Sequence, residues 1–446
     1  MIKITTKVKK AINTKTSVKT FKQSFLALSL LTSFNLFAQT QVIHAGTLLK
    51  VAGEKPLAKQ TLVITDGKIT AIKKGFVSVE KIAKDATLID LSSSFVMAGL
   101  MDMHVHLQGE LGPKNDSQSL RMSDADVLMN SAFNAKKTLM AGFTTVRDLG
   151  AQAEQIFALR DGIAKGWVLG PRIIAAGSPV SVTGGHGDVD GLSPDILEMR
   201  TSKTICDGPY DCRRATRSAI KFGADVIKIT STGGVLSDTN TGTGQQMADD
   251  ELKEVVDAAH ALGRKVTSHA HAADGINAAL RAGVDSIEHG SYANNESVKL
   301  FKKSGAYLVP TLMAGDTVVG LAKNTNFMSE AIKAKAIRVG GDMIANFKNS
   351  FKSGVNIAYG TDSGVSPHGN NGKEGVLMAK AGMANSDILK SATVNAADLI
   401  NMSASLGTLE QGKIADIIAF DGNPLNDINE LLDVDFVMKG GEIIKN

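Results

Sequence analysis

Cysteine is nearly absent from this 446-residue chain, which has only Cys206 and Cys212. Two thiols argue against a zinc site built on thiolates. They bracket a Gly-Pro turn in Cys206-Asp-Gly-Pro-Tyr-Asp-Cys212, so in an oxidising compartment the pair reads as a disulfide, and elsewhere as two free thiols near a helix start. Proline is scarce too, nine residues against forty-four glycines, a balance that suits many tight strand-to-helix turns. Acidic residues are missing from positions 1–38, which hold seven lysines; without that stretch the formal charge falls from +4 to −3. A mildly acidic body with no basic stripe excludes nucleic acid as the expected partner. Beyond Phe25–Ala38 no window approaches the length of a membrane span, and there is neither a solenoid-period repeat nor a low-complexity linker.

What is present begins with a leader. Lysines precede the apolar run Phe25–Ala38, and polar Gln39-Thr-Gln follows. The run has the length of a signal-peptide core, with Ala38 as the cleavage point, although Leu36 is bulkier than usual two positions earlier. The alternative is an uncleaved anchor; no nearby cysteine offers a lipid attachment site. Residues 1–38 are therefore expected to be a signal peptide and the protein to be periplasmic or secreted, with no further membrane contact. The rest, 43% hydrophobic and 21% charged over the whole chain, has an ordinary globular composition and is long enough for a large domain plus a smaller one.

Both ends of that body are strand-rich. Thr61–Lys73 has two β-prone runs joined through Asp66-Gly67, a hairpin signal, and the tail repeats the texture with a Gly440-Gly441 hairpin. One small β-sandwich from residues 39–95 and 407–446 is the expectation. The middle, 96–406, alternates short apolar runs with amphipathic stretches, as parallel βα units do. The runs are Val96–His106, Thr144–Asp148, Arg172–Ala176, Asp225–Thr230, Lys265–His271, Asp285–His289, Tyr307–Thr311 and Val355–Thr361. Eight is the number that closes a (β/α)₈ TIM barrel, an α/β fold.

Polar residues gather where these runs end, the place where such barrels build active sites. His104 and His106 share a strand face and can meet one ion. Lys228, between Ile227 and Ile229, would put an ammonium in the interior, to be neutralised by a buried acid or by carbamylation with CO₂. His269, His289 and Asp362 each end a run. Any one of them is explained as a satisfied core histidine or a capping aspartate; the set is not.

The segments Ala98-Gly-Leu-Met-Asp-Met-His-Val-His106, Gly142-Phe-Thr-Thr-Val-Arg-Asp-Leu-Gly150, Thr183-Gly-Gly-His-Gly-Asp188, Ile227-Lys-Ile229 with Thr232-Gly-Gly-Val235, His269-Ala-His271, Ile287-Glu-His-Gly290, Gly360-Thr-Asp362 and Gly407–Asp416 together resemble the amidohydrolase superfamily. The resemblance covers about residues 41–446, falls in the binuclear branch with a carboxylated lysine, and is nearest to its prolidase-like members, of Xaa-Pro dipeptidase and ochratoxinase type. It implies that His104, His106 and Asp362 hold one divalent ion, that His269 and His289 hold a second, and that carboxylated Lys228 bridges the two. Zinc suits that set, with manganese or cobalt also admissible. It further implies hydrolysis of peptide or other amide bonds with release of a free amino acid. Asp362 would then move the proton, and His271 and His186 would contact the substrate or its intermediate. His368 is a weaker candidate for the same mouth, Tyr359 is a bulky neighbour of the last strand end, and His44 and His260 have no assigned role. The rival activities are opening of a cyclic amide or lactone, as in imidazolonepropionase, and metal binding without catalysis. A homo-oligomer is the expected assembly.

Overall fold

A computed structural model describes residues 40–446 apart from 115–117, 119 and 238–241. The expected leader at 1–38 lies outside the described residues. Residues 38–446 form one compact unit.

The N-terminal strands are β1 (Thr40–Leu49), β2 (Leu57–Thr65), β3 (Lys68–Lys74) and β4 (Thr87–Ala98). The middle supplies β5 (Leu100–Val105), β6 (Phe143–Asp148), β7 (Arg172–Ala175), β8 (Val226–Thr230), β9 (Lys265–Ala270), β10 (Ser286–His289), β11 (Tyr307–Val309) and β12 (Asn356–Ile357). The tail adds β13 (Ile417–Phe420), β14 (Phe436–Lys439) and β15 (Glu442–Lys445).

The termini do join, but in one sheet rather than two, in the order β15-β14-β13-β4-β1-β2-β3. The reason is the length of β4. It pairs with β1 from Thr87 to Met97 and with β13 from Phe95 to Ala98, carrying one hydrogen-bonded ladder from the N-terminal half into the C-terminal half. Ile43, Leu62, Ile69, Val96, Ile417 and Phe436 pack as a single apolar cluster on this sheet. Asp66 and Gly67, at φ 50° and 71°, make the left-handed pair that a two-residue hairpin demands.

The expected run Val96–His106 is divided at Gly99, so the terminal sheet reaches Ala98 rather than stopping at residue 95. A Cβ on Gly99 would lie 2.3 Å from Thr144 Oγ1, and only glycine lets the chain cross β6 there. The eight middle strands form two parallel sheets, β5-β6-β7 and β8-β9-β10-β11-β12, with helices between successive strands. Parallel bridges join them at both junctions, Val180 to Ile229 and Val105 to Ser363. β5, β6, β8 and β10 are buried along their whole length, as parallel strands covered on both faces are. Two connections are longer than the rest, residues 176–225 between β7 and β8 and 310–355 between β11 and β12. Between β11 and β12 stands a helical hairpin, Leu312–Asn324 and Glu330–Lys352.

Arg147 of β6 links the two sheets through the interior. It is 2% exposed, and it donates to Met103 O (2.7 Å), to Ser286 Oγ (3.2 Å) and to Glu288 Oε1 of β10 (2.8 Å). Burial alone would raise the Glu288 carboxyl, but Arg147 and His104 outweigh it and hold the group down at about 2. Removing one partner of such a pair strands the other charge, whereas replacing both with apolar groups of similar volume is close to neutral. Glu288→Ala is therefore expected to cost about 3–5 kcal/mol of unfolding free energy in the metal-free protein. Arg147→Met/Glu288→Leu should recover most of that in the same urea titration; a double variant as weak as the single one would show that the pair is not the cause.

Candidate metal centre

Parallel strands end on one side, and the interior-facing residues at those ends meet. His104 lies on β5 and His106 follows it; Lys228 lies on β8, His269 on β9, His289 on β10, and Asp362 five residues after β12. All six line one cavity of about 350 Å³, with His271 and His186. The backbone is forced locally to achieve this. His289, Thr311 and Asp362 have φ of 68°, 50° and 57°, left-handed values in non-glycine residues at three neighbouring strand ends. Each costs about 1–3 kcal/mol, a strain typical of functional sites.

The first group is His104, His106 and Asp362, with ligand-type atoms within 4.8 Å of one another. His104 Nε2 and His106 Nε2 are 3.3 Å apart, and Asp362 Oδ1 lies 3.5 and 3.2 Å from them. Their far nitrogens fix the tautomers. His106 Nδ1 is 2.8 Å from Gly150 O, a pure acceptor, so the proton sits on Nδ1; His104 Nδ1 lies 2.9 Å from the Glu288 carboxylate, a contact that favours a proton on the same nitrogen. Two imidazole lone pairs and a carboxylate oxygen therefore face one another at contact distance. Such a set calls for a cation or a proton between its members. A Cβ at Gly150 would lie 2.8 Å from His106 Cε1, so glycine is what lets the ring approach that carbonyl. Lys228 Nζ stands 3.5 Å from His104 Nε2.

The second group is His269, His271 and His289, also within 4.8 Å. His289 Nδ1 is hydrogen-bonded to Thr311 Oγ1 at 2.7 Å and His271 Nδ1 to Ser291 Oγ at 2.8 Å. His269 Nε2 and Asp362 Oδ1 are buried with no hydrogen-bond partner. Such orphaned acceptors at the meeting point of the strands have the donor chemistry of a divalent-cation site.

Electrostatics keep these groups in their ligating forms. Burial pushes His104 and His271 down to about 4 and His186 to about 3, and takes His269 and His289 well below the ordinary imidazole range. These five are neutral at pH 7, the form that binds metals. His106 goes the other way: burial lowers it, but Asp362 and then Asp148 more than offset that. Burial would raise Asp362, yet His104, His106 and Lys228 keep it a carboxylate. Lys228 is lowered to about 8, by burial first, with Glu288 and Asp362 pulling it partly back.

His186 reaches the cavity from the glycine-rich loop after β7. Its N–H donates to Gln246 Oε1 (2.8 Å), its Nδ1 is bonded to Ser237 Oγ (2.8 Å), and its ring centroid is 4.1 Å from that of His269. Behind the loop Cys206 and Cys212 are disulfide-bonded, and Cys206 N donates to Ser181 O.

Other sequence candidates do not reach the cavity. His368 bonds Gly109 O through Nε2 (3.1 Å), away from the cavity lining. Tyr359 turns into the core, donating to Asn371 O (2.6 Å) and accepting from Gly375 N. His44 stacks on Phe76, and His260 pairs with Asp285. The sequence reading gave no role to Glu288, Arg147, Asp102 or Thr311. Asp102, fully buried, accepts from His104 N, Thr361 N, Thr361 Oγ1 and Asn371 Nδ2, tying β5 to the Asp362 segment. For Glu288, Arg147 and Asp102 the signal was a charged residue inside an apolar run, as in Ser286-Ile-Glu-His289; Thr311 gave no such signal.

Residues 95–444 match the Amidohydrolase family. The chain is similar to the ochratoxinase of Aspergillus niger, 33% identical over 428 residues, covering 92% of this chain and 87% of that one. Among solved structures it is similar to a Xaa-Pro dipeptidase with bound methionine in the active site, with 39% identity, a TM-score of 0.87, and coverage of 92% and 100%. An imidazolonepropionase of Fusobacterium nucleatum is more distant, 22% identical over 385 residues, 81% of this chain and 84% of that one. The chain belongs to the amidohydrolase family and is a hydrolase acting on amide bonds.

Proposed function

We propose that this chain is a two-metal hydrolase on a closed (β/α)₈ barrel that cleaves a peptide or N-acyl amide and releases a free amino acid. The observation that carries the reading is the pair of three-residue groups at the strand ends, each with its ligand-type atoms within 4.8 Å of one another, and buried Lys228 beside the first. Two further findings support it. Parallel bridges at both sheet junctions suit a closed barrel, and the relatives named above are an ochratoxinase and a Xaa-Pro dipeptidase.

In this reading His104, His106 and Asp362 would hold one cation, His269 and His289 would hold the other, and Lys228, once carboxylated, would contribute a carboxylate to both. Zinc fits the nitrogen and carboxylate donors, and manganese or cobalt is compatible. Two divalent ions there supply Lewis-acid polarisation of the amide carbonyl and a water that ionises near neutrality. Lys228 is suited to its part. Burial lowers its pKa from the ordinary lysine range, which favours the neutral amine, and that form adds to CO₂, making an N–C bond and releasing a proton.

Asp362 works as the proton carrier. Its carboxylate would take the proton of the attacking water and pass it to the amine nitrogen as the C–N bond breaks. His186 and His271, kept neutral by burial and each fixed at Nδ1 by a serine hydroxyl, contact the substrate and donate to the carbonyl oxygen as it gains negative charge. The lysine-rich, apolar leader and the Cys206–Cys212 bridge support export to an oxidising compartment. Among the described residues no helix is long and apolar enough to cross a membrane.

Three outcomes are expected. Protein purified without chelator carries about two divalent ions per chain; it releases an amino acid from members of a dipeptide and N-acyl amino acid panel, loses this on chelation and regains it with zinc, manganese or cobalt. Hydrolysis of lactones alone would defeat the reading. Lys228→Ala falls by at least about a hundredfold in kcat/KM, and ¹³C-bicarbonate gives the parent enzyme, not the variant, a carbamate resonance by NMR. N-terminal sequencing of protein from the periplasm or medium starts at Gln39; a start at Met1 in the membrane fraction would favour an anchor.

A further inference from the structure

The walls of the cavity differ from its floor. The floor is the histidine, lysine and aspartate set. The helical hairpin inserted between β11 and β12 also lines the cavity, contributing Ala314, Gly315 and Val318 from Leu312–Asn324 and Val339, Gly340 and Met343 from Glu330–Lys352. Residues 315 and 318, and 339, 340 and 343, recur at the three- and four-residue spacing that keeps side chains on one helix face. Val318, Val339 and Met343 are all buried. Val235, Leu236 and Val365 complete the apolar wall from the neighbouring loops.

The hairpin is rich in charge, yet none of it lines the cavity. Lys335 donates to Gly234 O and Ser237 O, Asp342 accepts from Tyr292 Oη, and Asp316 pairs with Lys373. Among the described residues the only lysine, arginine, aspartate or glutamate side chains lining the cavity are Lys228 and Asp362, both in the proposed metal centre. The two helices cross closely. A Cβ on Gly340 would meet Gly315 O at 2.8 Å and Val319 Cγ2 at 2.5 Å, and one on Gly315 would meet Met343 Sδ at 2.5 Å. Glycine at both positions lets the two helices approach this closely, and Val318, Val339 and Met343 line the cavity beside the crossing.

We propose that this recess receives an aliphatic or aromatic side chain of the substrate, and that Val318, Val339 and Met343 are the specificity-determining residues. The inference rests on the amide-hydrolase reading and adds the substrate class. An apolar side chain leaves water for a matching wall, whereas an ammonium or carboxylate entering there would lose its hydration with no opposite charge to meet it.

The test uses the metal-loaded full-length protein and two matched series. One varies the residue on the amine side of the scissile bond among Leu, Met, Phe, Asp and Lys; the other varies the acyl side. In one series the apolar members should exceed Asp and Lys by about a hundredfold or more in kcat/KM, which also tells which side occupies the recess. Val339→Asp should narrow the gap for Lys by at least about tenfold while leaving that for Asp unchanged or wider. Val318→Ala, a milder change, should shift the preference from Leu towards Phe. A calorimetric arm is independent of turnover: N-acetyl-Leu and N-acetyl-Phe should bind more tightly than N-acetyl-Lys and N-acetyl-Asp, even if no amide in the panel is cut. Equal handling of charged and apolar side chains in both series, equal binding of the four N-acetyl amino acids, or variants with unaltered ratios would each overturn the proposal. Absence of all hydrolysis with the binding order intact would overturn only the amide-hydrolase reading.

Discussion

A single carboxylate, that of Glu288, sits where the two parallel sheets and the candidate metal centre come together. Below it is the Arg147 guanidinium, beside it are the Ser286 and Thr267 hydroxyls, and above it is His104 Nδ1. A buried cation, a buried anion and an imidazole are each costly alone in a medium of low dielectric. In this stack the carboxylate lies at contact distance from both the guanidinium and the imidazole. The proton that His104 keeps on Nδ1 turns its Nε2 lone pair towards His106 and Asp362. The tautomer at the cavity floor is thus set from inside the fold.

The rim depends on the same economy of position. His289, Thr311 and Asp362 adopt left-handed backbone conformations at adjoining strand ends. Glu374 holds the turn after Thr311 by accepting from Leu312 N and Met313 N, and Thr311 Oγ1 in turn holds His289 Nδ1. Asp102 does the same for the other side, with hydrogen bonds to His104 N and Thr361 N. Local strain of a few kcal/mol persists because the packed core around it leaves no room to relax.

Above this rigid floor the hairpin between β11 and β12 brings different chemistry: helix faces with valine, alanine, methionine and glycine, and charges turned elsewhere. The division of labour follows from the fold. Strand ends give fixed, convergent positions for polar groups, while an inserted connection can vary its facing residues without disturbing them. The disulfide Cys206–Cys212 lies beside the base of the loop that carries His186, where Cys206 N donates to Ser181 O.

The sequence by itself determined the rhythm and the chemistry. Eight apolar runs, each found as a strand, gave the alternating parallel architecture, because strand burial depends on local pattern. His104, His106, Lys228, His269, His289 and Asp362 stood out because polar residues at the ends of apolar runs are costly unless used. Only the tertiary structure decided the rest. Whether the terminal strands form one sheet or two depended on how far β4 runs, and on Gly99 passing Thr144. The proximity of His271 to His269 and His289, the turning of Tyr359 and His368 away from the cavity, and the pairing of Glu288 with Arg147 are contacts between residues far apart in the chain. Spacing along a strand fixes which face a side chain takes, but the partner it meets there comes from how distant strands are brought together.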